Sequence, residues 1–371
     1  MSPPGVVFGG PSPEHDVSIL TGLQAARALS KAGQPPVAVF WDKTAKFWWV
    51  DPDLEAEAFI DGAPKGAVPL RLGAAHDGGG FAVAKGGLLS KGKRLDVGPL
   101  VNCCHGGPGE DGTLQASLDI AGLRYSGPSA AGAALGMDKL AFGAVVGAAG
   151  LPSLPRVLVT PSAAAPIFPG PYILKPRFGG SSIGIEVVNA WDDALALVGQ
   201  GSVHWRRGAL AEPYRANAID INVAVRAYPS VQLSLLEHPL RSGGHILGYR
   251  DKYLGGDGMA SAPRQLPAEL EPGLADALRD AARAVIDLAA VRGVARLDFL
   301  VEGQEWWVNE INTIPGSLAR YLWVGESAVE FPTLLGDLIA EATSRPAFRW
   351  DASGADGLAL RSASSIASKL G

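Results

Sequence analysis

One β-hairpin pattern near the C-terminal end constrains this chain more than any other feature. Residues 294–301 and 305–311 are rich in β-branched and aromatic side chains, and residues 302–304 between them have the composition of a tight turn around Gly303. A pattern of this kind is typical of two antiparallel strands. The sequence therefore predicts a hairpin that turns at Gly303.

The polar side chains of the predicted hairpin fall on defined faces. Side chains alternate along a strand, so Arg296 and Asp298 share one face, as do Glu310 and Asn312. A turn centred on the glycine places Asp298 opposite Val308 and makes Glu310 its diagonal neighbour at roughly 7–8 Å. Two carboxylates and an amide this close favour a hard cation, and protein-bound Mg²⁺ usually takes substrate phosphates as further ligands. The hairpin therefore predicts a nucleotide site.

The alternative is a solvated hairpin face that binds nothing. We favour the site because residues 309–313 lead directly into Pro315 and Gly316, a turn of the kind where functional residues tend to lie. We therefore predict a cation site rather than a solvated face.

Length and composition limit the class of protein. A chain of 371 residues predicts two or three domains, and 47% hydrophobic with 19% charged residues is typical of a globular protein. The formal net charge of −5 argues against broad electrostatic binding to nucleic acid or an anionic membrane. Adjacent Cys103 and Cys104 form neither a disulfide framework nor a metal site, and no signal peptide or apolar run of about 18 residues is visible. These features predict a soluble cytoplasmic protein.

Strand-like and helix-like segments alternate along the first 150 residues. The strand patterns cover residues 6–8, 37–40 and 100–104, and the helical patterns cover residues 17–32, 114–121 and 138–149. Such alternation predicts an α/β domain with a doubly wound parallel sheet, to which residues 41–98 add an elaboration. The C-terminal half reads as α+β. The predicted units are residues 1–127, 128–211 and 212–345, with a tail at 346–371.

The segment from Lys175 to Gly184 has the composition of a phosphate loop. Its small residues let backbone N–H groups approach an anion, and the lysine at the strand end adds positive charge. It is not a Walker loop, whose lysine follows the glycines, and it is not a Rossmann fingerprint, because a strand pattern follows it. The alternative is an ordinary hairpin tip.

Three other loops contain candidate site residues. Glu14 follows the first strand, where ligands of doubly wound sheets bind, although it is also a favourable charge at a helix N-terminus. The glycine-rich residues 105–112 imply that the backbone passes close to a ligand or to another loop. Lys252 and Tyr253 lie in a glycine-flanked segment that is either a substrate lid or a surface loop.

In this order, these residues resemble the D-alanine-D-alanine ligase family of the ATP-grasp superfamily, and the similarity covers most of the chain. It rests on Gly9-Gly10 with Glu14 and Ser18, His105-Gly106, residues 109–115, Met137-Asp138-Lys139, Lys175-Pro176, residues 180–184, Lys252-Tyr253, Arg296 with Asp298, and residues 310–316. The resemblance implies an ATP-grasp fold behind a doubly wound N-terminal domain. It also implies peptide-bond formation between two amino acids, driven by ATP through an acyl phosphate, and a homodimer.

The resemblance assigns roles at the nucleotide. Asp298, Glu310 and Asn312 are implied as ligands of Mg²⁺, in one or two ions that Mn²⁺ can replace. The implied nucleotide contacts are Lys139, Lys175, Gly180 and Ser182 at the phosphates, Lys252 at the γ-phosphate, Glu212, Tyr214 and Arg215 at the adenine, and Asp220 at the ribose.

The resemblance also assigns roles in catalysis. Glu14, Ser181 and Tyr253 match a hydrogen-bonded trio that orders the substrates, with Glu14 facing the ammonium group of the first substrate. Arg296 is implied to stabilise the tetrahedral intermediate, a role typically worth about 10²–10³ in rate. His105 and Gly316 are implied at the substrate.

The chain departs from the family pattern at three places. Pro213 replaces a common hinge lysine, residues 255–261 lack an expected aromatic pair, and residues 317–323 replace a hydroxyl-bearing segment that holds the second substrate's carboxylate. We predict that Arg320 grips that carboxylate and that Tyr321 donates one hydrogen bond. The alternative is that backbone N–H groups near Gly316 bind it while these side chains only pack.

The predicted function is ATP-dependent joining of two D-alanines for peptidoglycan precursor synthesis. One rival is a ligase that activates a D-amino acid but couples it to another amine. A second is a nucleotide-binding regulatory protein without catalysis, which would not need Arg296 and Glu14. A nicotinamide-linked oxidoreductase is remote because Gly9-Gly10-Pro11 lacks the third spaced glycine.

Overall fold

The computed structural model describes residues 2–74, 79–84, 92–240, 263–345, 351–363 and 365–367. Within these residues, the strands form three sheets and a two-stranded ribbon. The strands are β1 Gly5–Gly9, β2 Val37–Trp41, β3 Phe47–Val50, β4 Val68–Gly73, β5 Gly80–Val83, β6 Leu100–Asn102, β7 Val157–Val159, β8 Tyr172–Pro176, β9 Glu186–Val188, β10 Ala209–Pro213, β11 Ile219–Arg226, β12 Gln232–Leu233, β13 His238–Pro239, β14 Arg264–Gln265, β15 Val294–Glu302 and β16 Glu305–Asn312.

Helices cover the sheets and connect their strands. They are α1 His15–Lys31, α2 Gly107–Glu110, α3 Thr113–Ile120, α4 Ala130–Met137, α5 Lys139–Ala148, α6 Trp191–Gly199, α7 Pro272–Leu288, α8 Phe331–Ser344 and α9 Leu358–Arg361. Across the described part of the chain, none of them is both long and apolar enough to span a membrane.

The N-terminal sheet has the strand order β5-β4-β3-β2-β1-β6. β1 is parallel to both β2 and β6, as the alternating pattern predicts, whereas β3, β4 and β5 extend the sheet in antiparallel fashion. These three added strands are the predicted elaboration between residues 41 and 98. Helix α1 crosses β1 so closely that a Cβ on Gly22 would lie 2.3 Å from the Phe8 Cβ.

The predicted strand through Cys104 ends two residues earlier. Cys103 still donates its N–H to Val7 of β1, but the Asn102 side chain accepts the Cys104 N–H at 3.0 Å and turns the chain away. The two cysteines are buried in different hydrophobic clusters, so their side chains do point to opposite faces. Burial raises the pKa of both thiols, which keeps them protonated.

The central sheet has the order β7-β10-β8-β9 and is antiparallel. Lys175 lies in β8, and β9 follows the glycine-rich loop, as predicted for a phosphate loop that is neither Walker nor Rossmann. Strand β10 brings Glu212 next to β8 and continues through Pro213, past the predicted unit boundary at 211. The domain limits stay a prediction.

The third sheet has the order β12-β11-β15-β16, with α7 packed on one face. The apolar stripe of α7 includes Leu278 and Val285, which are fully buried in the same cluster as Phe299 of β15. Burying side chains of this size is worth about 1.5–3 kcal/mol each. The helix therefore leaves the opposite face of the sheet available for the site.

The predicted hairpin register was wrong, and its correction matters for the site. Phe299 opposes Val308, but Asp298 opposes Glu310, because Asn309 is an extra residue that forms a β-bulge. In an unbroken ladder Asp298 would oppose Asn309, and Glu310 would point to the other face. The bulge therefore brings Glu310 onto the face of Asp298.

Candidate active site

Four of the predicted site residues lie together on one face of the hairpin. Arg296 pairs with Asn312 across the ladder, and Asp298 pairs with Glu310. Arg296 donates two hydrogen bonds to the Asp298 carboxylate, both at 2.7 Å, and the Asn312 amide donates a third at 3.0 Å. The oxygen-rich cluster predicted from the sequence is thus present, in closer pairing than predicted.

Arg296 is a buried and permanent positive charge. Burial alone would lower the pKa of its guanidinium, but Asp298 beside it holds that pKa well above its usual range. Its Nη1 also donates to the Tyr321 hydroxyl at 3.1 Å. The guanidinium is therefore fixed in position before any substrate arrives.

Two predicted phosphate lysines reach the hairpin from other elements. Lys139 begins α5, whose N-terminus is capped by Asp138 through the backbone N–H groups of the next turn. Its Nζ lies 2.7 Å from Glu310 Oε2 and donates to the Gly179 carbonyl at 2.7 Å. Lys175 donates to the Asn309 side chain at 3.1 Å.

Glu212 of β10 is the anion that balances the charges of Lys175 and Arg156. It is 1% exposed, and its oxygens lie 2.6 Å from Lys175 Nζ and 2.9 Å from Arg156 Nε. Burial alone would raise the pKa of Glu212, but the two cations lower it below its usual range. Arg156 also bonds to the carbonyls of Lys139 and Asn309.

Sequence reasoning missed Arg156. Its carbonyl partners lie 17 and 153 residues away, and no motif surrounds it. Its side chain connects β10, the start of α5 and the bulge of the hairpin.

An open cleft runs between the central and third sheets. One end has apolar walls that include Ile173, Ala218 and Leu300, and the other end is charged. Arg215 stacks over Trp307 at 4.8 Å. The predicted residues that line the cleft are Lys139, Lys175, Gly180, Ser182, Glu212, Tyr214, Arg215, Asp220, Arg296, Asp298 and Glu310.

A smaller, polar cavity adjoins the cleft. It is lined by Glu14, His105, Glu110, Ser181, Arg296, Glu310, Asn312, Ile314 and Gly316. The Ser181 hydroxyl donates to the Glu14 carboxylate. A Cβ on Gly106 would lie 2.3 Å from Glu14 Oε2, so a larger residue would displace that carboxylate. The φ of 63° at this position also favours glycine.

Arg296 and Glu310 line both cavities. The charged end of the cleft and the small polar cavity therefore share a wall. A group bound in one cavity meets a group bound in the other at these two side chains.

His105 and Glu110 are both buried beside the small cavity. Burial lowers the pKa of His105 to about 4, so the ring is neutral near pH 7. Burial, together with the charge of Glu14, raises the pKa of Glu110 to about 7. Glu110 lies within the matched motif at residues 109–115, yet sequence reasoning gave it no role.

The two residues predicted to hold the second carboxylate have partners within the protein, and the Tyr321 hydroxyl is bound by Arg296. The Arg320 guanidinium stacks over Phe331 at 5.6 Å, and the Tyr321 ring lies under Arg264 at 4.6 Å. Among the lining residues that the structure describes, neither appears in either cavity. Lys252 and Tyr253 lie outside the described residues.

The sheets and their cleft define the ATP-grasp class of fold. The crystal structure of the D-Alanine-D-Alanine ligase from Helicobacter pylori matches this chain with a TM-score of 0.71 and 26% sequence identity, covering 92% of this chain and 98% of that one.

Sequence comparisons assign the family within this class. The model for the D-ala D-ala ligase N-terminus matches residues 4–128, and the model for the C-terminus matches residues 163–340. A D-alanine--D-alanine ligase of Methylobacterium sp. (strain 4-46) is 32% identical over 92% of this chain and 91% of its own length. One from Campylobacter concisus is 30% identical over 86% of this chain and 88% of its own length. The chain belongs to the D-ala D-ala ligase family.

Proposed function

We propose that this protein is an ATP-dependent ligase that joins two D-alanines into D-alanyl-D-alanine for peptidoglycan precursor synthesis. The observation that carries the proposal is the wall of Arg296 and Glu310 shared by the open cleft and a small polar cavity. Family membership supports the same reaction. Phosphoryl transfer from the cleft and amine attack in the small cavity meet at that wall.

The cleft supplies a site for ATP from this chain's own residues. Its apolar end beside Tyr214, Arg215 and Asp220 accepts the adenosine, and its charged end accepts the phosphates. The phosphate contacts are Lys139, Lys175, Gly180 and Ser182, and Lys252 stays a prediction for the γ-phosphate. Backbone N–H groups and lysines suit a phosphate chain.

The hairpin face fits Mg²⁺. Asp298, Glu310 and Asn312 offer two carboxylates and an amide oxygen from one face, which suits a hard ion in one or two copies and allows Mn²⁺ to replace it. Their negative charge is balanced here by Arg296 and Lys139. The ion, when bound, neutralises charge on the phosphates.

The reaction forms one C–N bond at the cost of one phosphoanhydride bond. The carboxylate of the first D-alanine, its ammonium held by Glu14, attacks the γ-phosphorus and releases ADP. The neutral amine of the second D-alanine attacks the acyl carbon, Arg296 stabilises the oxyanion, and inorganic phosphate and a proton leave. Ser181 and Tyr253 order the substrates through Glu14.

A ligase with a different acceptor is the second candidate. The observation that favours it is the position of Arg320 and Tyr321, which leaves Gly316 and Asn312 at the small cavity where the family pattern predicts a hydroxyl. A regulatory protein without catalysis is disfavoured because ATP binding alone would not need Glu14 and Arg296, which both line the small cavity.

One assay separates these functions. Phosphate release is measured with D- and L-amino acids, singly and in pairs, and the products are identified by mass. We expect D-alanine with itself to give the fastest ATP-dependent release and D-alanyl-D-alanine as the product. A faster mixed pair would establish the second candidate, and ATP binding with no product from any pair would establish the regulatory one.

Glu310→Gln tests the metal assignment. The change removes charge at nearly constant volume, so we expect turnover to fall at least about a hundredfold with the fold retained. Glu305→Gln, on the exposed end of the same strand, is the matched control. Near-normal activity of Glu310→Gln at low Mg²⁺ would remove Glu310 from the metal site.

We also propose a cytoplasmic homodimer. The free, buried cysteines suit a reducing compartment, and the dimer follows from the family resemblance. Sedimentation velocity should show a species of twice the 38.4 kDa chain mass. A single species at the chain mass at all concentrations would contradict the dimer.

A further inference from the structure

The loop after the hairpin has a strained backbone. Ser317, Leu318 and Ala319 have φ values of 50°, 50° and 52°, in the left-handed region that side chains disfavour. Consecutive residues in this region persist only where the surroundings over-determine them. The same loop contains Gly316, which lines the small cavity.

Two side chains from the N-terminal domain hold the start of this loop. The Ile314 N–H donates to Glu110 Oε1 at 2.9 Å, and the Ile314 carbonyl lies 2.7 Å from His105 Nδ1. Both polar groups of one peptide residue are thus bound by side chains rather than by a neighbouring strand. The Thr313 hydroxyl adds a bond to Glu110 at 3.3 Å.

Thr21 of α1 holds the strained part. Its Oγ1 accepts the Ser317 N–H at 3.1 Å and lies 2.8 Å from His105 Nε2. Since the Ile314 carbonyl can only accept, His105 carries its proton on Nδ1, and Nε2 accepts from the Thr21 hydroxyl. Every polar atom in this chain of bonds then has one consistent role.

We infer that Thr21, His105 and Glu110 are positioning residues that fix the loop from residue 313 to 319, and with it Gly316, at the small cavity. They act on the amino-acid side of the reaction, because none of the three lines the cleft among its described walls. The assignment of that side to D-alanine rests on the proposed function. The positioning of the loop by these three residues, which we call the clamp, does not rest on it.

The inference predicts an effect on D-alanine and not on ATP. Thr21→Val keeps the side-chain shape and removes the hydroxyl, so the Michaelis constant for D-alanine should rise about tenfold, the effect of one lost buried hydrogen bond. That for ATP should stay within about twofold. Thr21→Ser keeps the hydroxyl and should restore D-alanine use.

Thr343→Val is the matched control. Its hydroxyl bonds only to the Ile339 carbonyl one turn back on the exposed side of α8. This variant should behave as the wild type for both substrates. An equal rise for ATP and D-alanine in Thr21→Val, or a failure of Thr21→Ser to restore D-alanine use, would overturn the inference.

Hydrogen exchange without substrate gives a readout that does not depend on activity. In Thr21→Val, the amides of residues 313–319 should exchange about tenfold faster, whereas peptides from the central sheet should be unchanged. If Thr21→Val does not fold, Glu110→Leu removes the acceptor of the Ile314 N–H and should give the same local acceleration. Unchanged exchange in the folded variant overturns the clamp. If exchange is accelerated locally in Thr21→Val but the wild-type protein makes no product from D-alanine, the proposed function fails and the positioning role of Thr21, His105 and Glu110 stands.

Discussion

His105 is a buried residue whose environment changes its ordinary chemistry. Both ring nitrogens are engaged within the protein, by Thr21 and by the Ile314 carbonyl. Burial, with a further contribution from the charge of Arg296, lowers its pKa from 6.5 to about 4. A group of this kind ties the stability of the fold to pH.

The sign of that dependence can be worked out. Between pH 6.5 and 4 the unfolded state binds a proton at His105 and the folded state does not, so stability from this group is complete above pH 6.5 and is lost as pH falls toward 4. The full effect is roughly 3 kcal/mol. The free energy of unfolding, measured by urea at pH 4 to 8, should therefore differ most between the wild type and His105→Gln above pH 6.5. A difference that stays constant down to pH 4 would contradict the buried neutral ring.

Residue chemistry alone predicted part of the site. The shared face of Asp298, Glu310 and Asn312 could be predicted because side chains alternate along a strand, and the cation stays a prediction. Arg156 could not be predicted, because its partners come from three elements and its own surroundings carry no pattern. The stacking of Arg320 over Phe331 could not be predicted, because nothing in the sequence around Arg320 indicates the left-handed backbone that precedes it.

At the scale of the element, the bulge in β16 decides what the hairpin can do. Deleting Asn309 would leave Phe299 opposite Val308 and Asp298 opposite Glu310 in a regular ladder. It would also remove the bulge and the Asn309 carbonyl to which Arg156 donates. We therefore expect turnover to fall about tenfold, the effect of one lost charge-assisted hydrogen bond, with the hairpin still formed.

Asn309→Ala separates the bulge from the side chain of its extra residue. It keeps the extra residue and loses only the amide that accepts from Lys175. Its turnover should be much closer to that of the wild type than the turnover of the deletion variant is. Circular dichroism checks that both variants are folded. Equal loss in the two variants would assign the effect to the amide rather than to the bulge.

The hairpin shows which features of an element can be predicted from its sequence. Its alternation of apolar and polar residues and its glycine turn predicted both strands within a residue of their ends. The bulge was not readable, because one added residue changes pairing without changing composition. The antiparallel strands β3, β4 and β5 were only recognised as an elaboration, since their segments are short and interrupted by glycine and proline.

At the scale of the whole molecule, the glycine-rich loop at residues 175–184 and the turn that follows it contact the N-terminal domain. Ser181 bonds to Glu14, which lines the small cavity with it, and Arg207 pairs with Asp111 at 3.0 Å. The Phe178 ring lies between the guanidinium groups of Arg177 and Arg207. Separations this long in sequence are beyond what periodicity can predict, and only the motif order indicated that the domains meet here.

Ser181→Ala tests whether this contact controls the reaction. Without the hydroxyl, closure over the acyl phosphate should be incomplete, water should compete with the amine, and more than one phosphate should be released per dipeptide formed. Ser202→Ala, which removes the N-terminal cap of the short helical turn at residues 203–205, is the control. A ratio of phosphate to dipeptide that is unchanged in Ser181→Ala would exclude this role.

The wall that Arg296 and Glu310 form between the two cavities makes their ligands thermodynamically linked. A ligand that changes the charge or position of these side chains from one side alters the affinity on the other side, and the same factor applies in the reverse direction. The affinity of any inhibitor for one cavity is therefore defined only for a stated occupancy of the other. A single molecule that occupies both cavities must complement the Arg296 guanidinium and the Glu310 carboxylate together. Its affinity benefits because the second binding event is intramolecular.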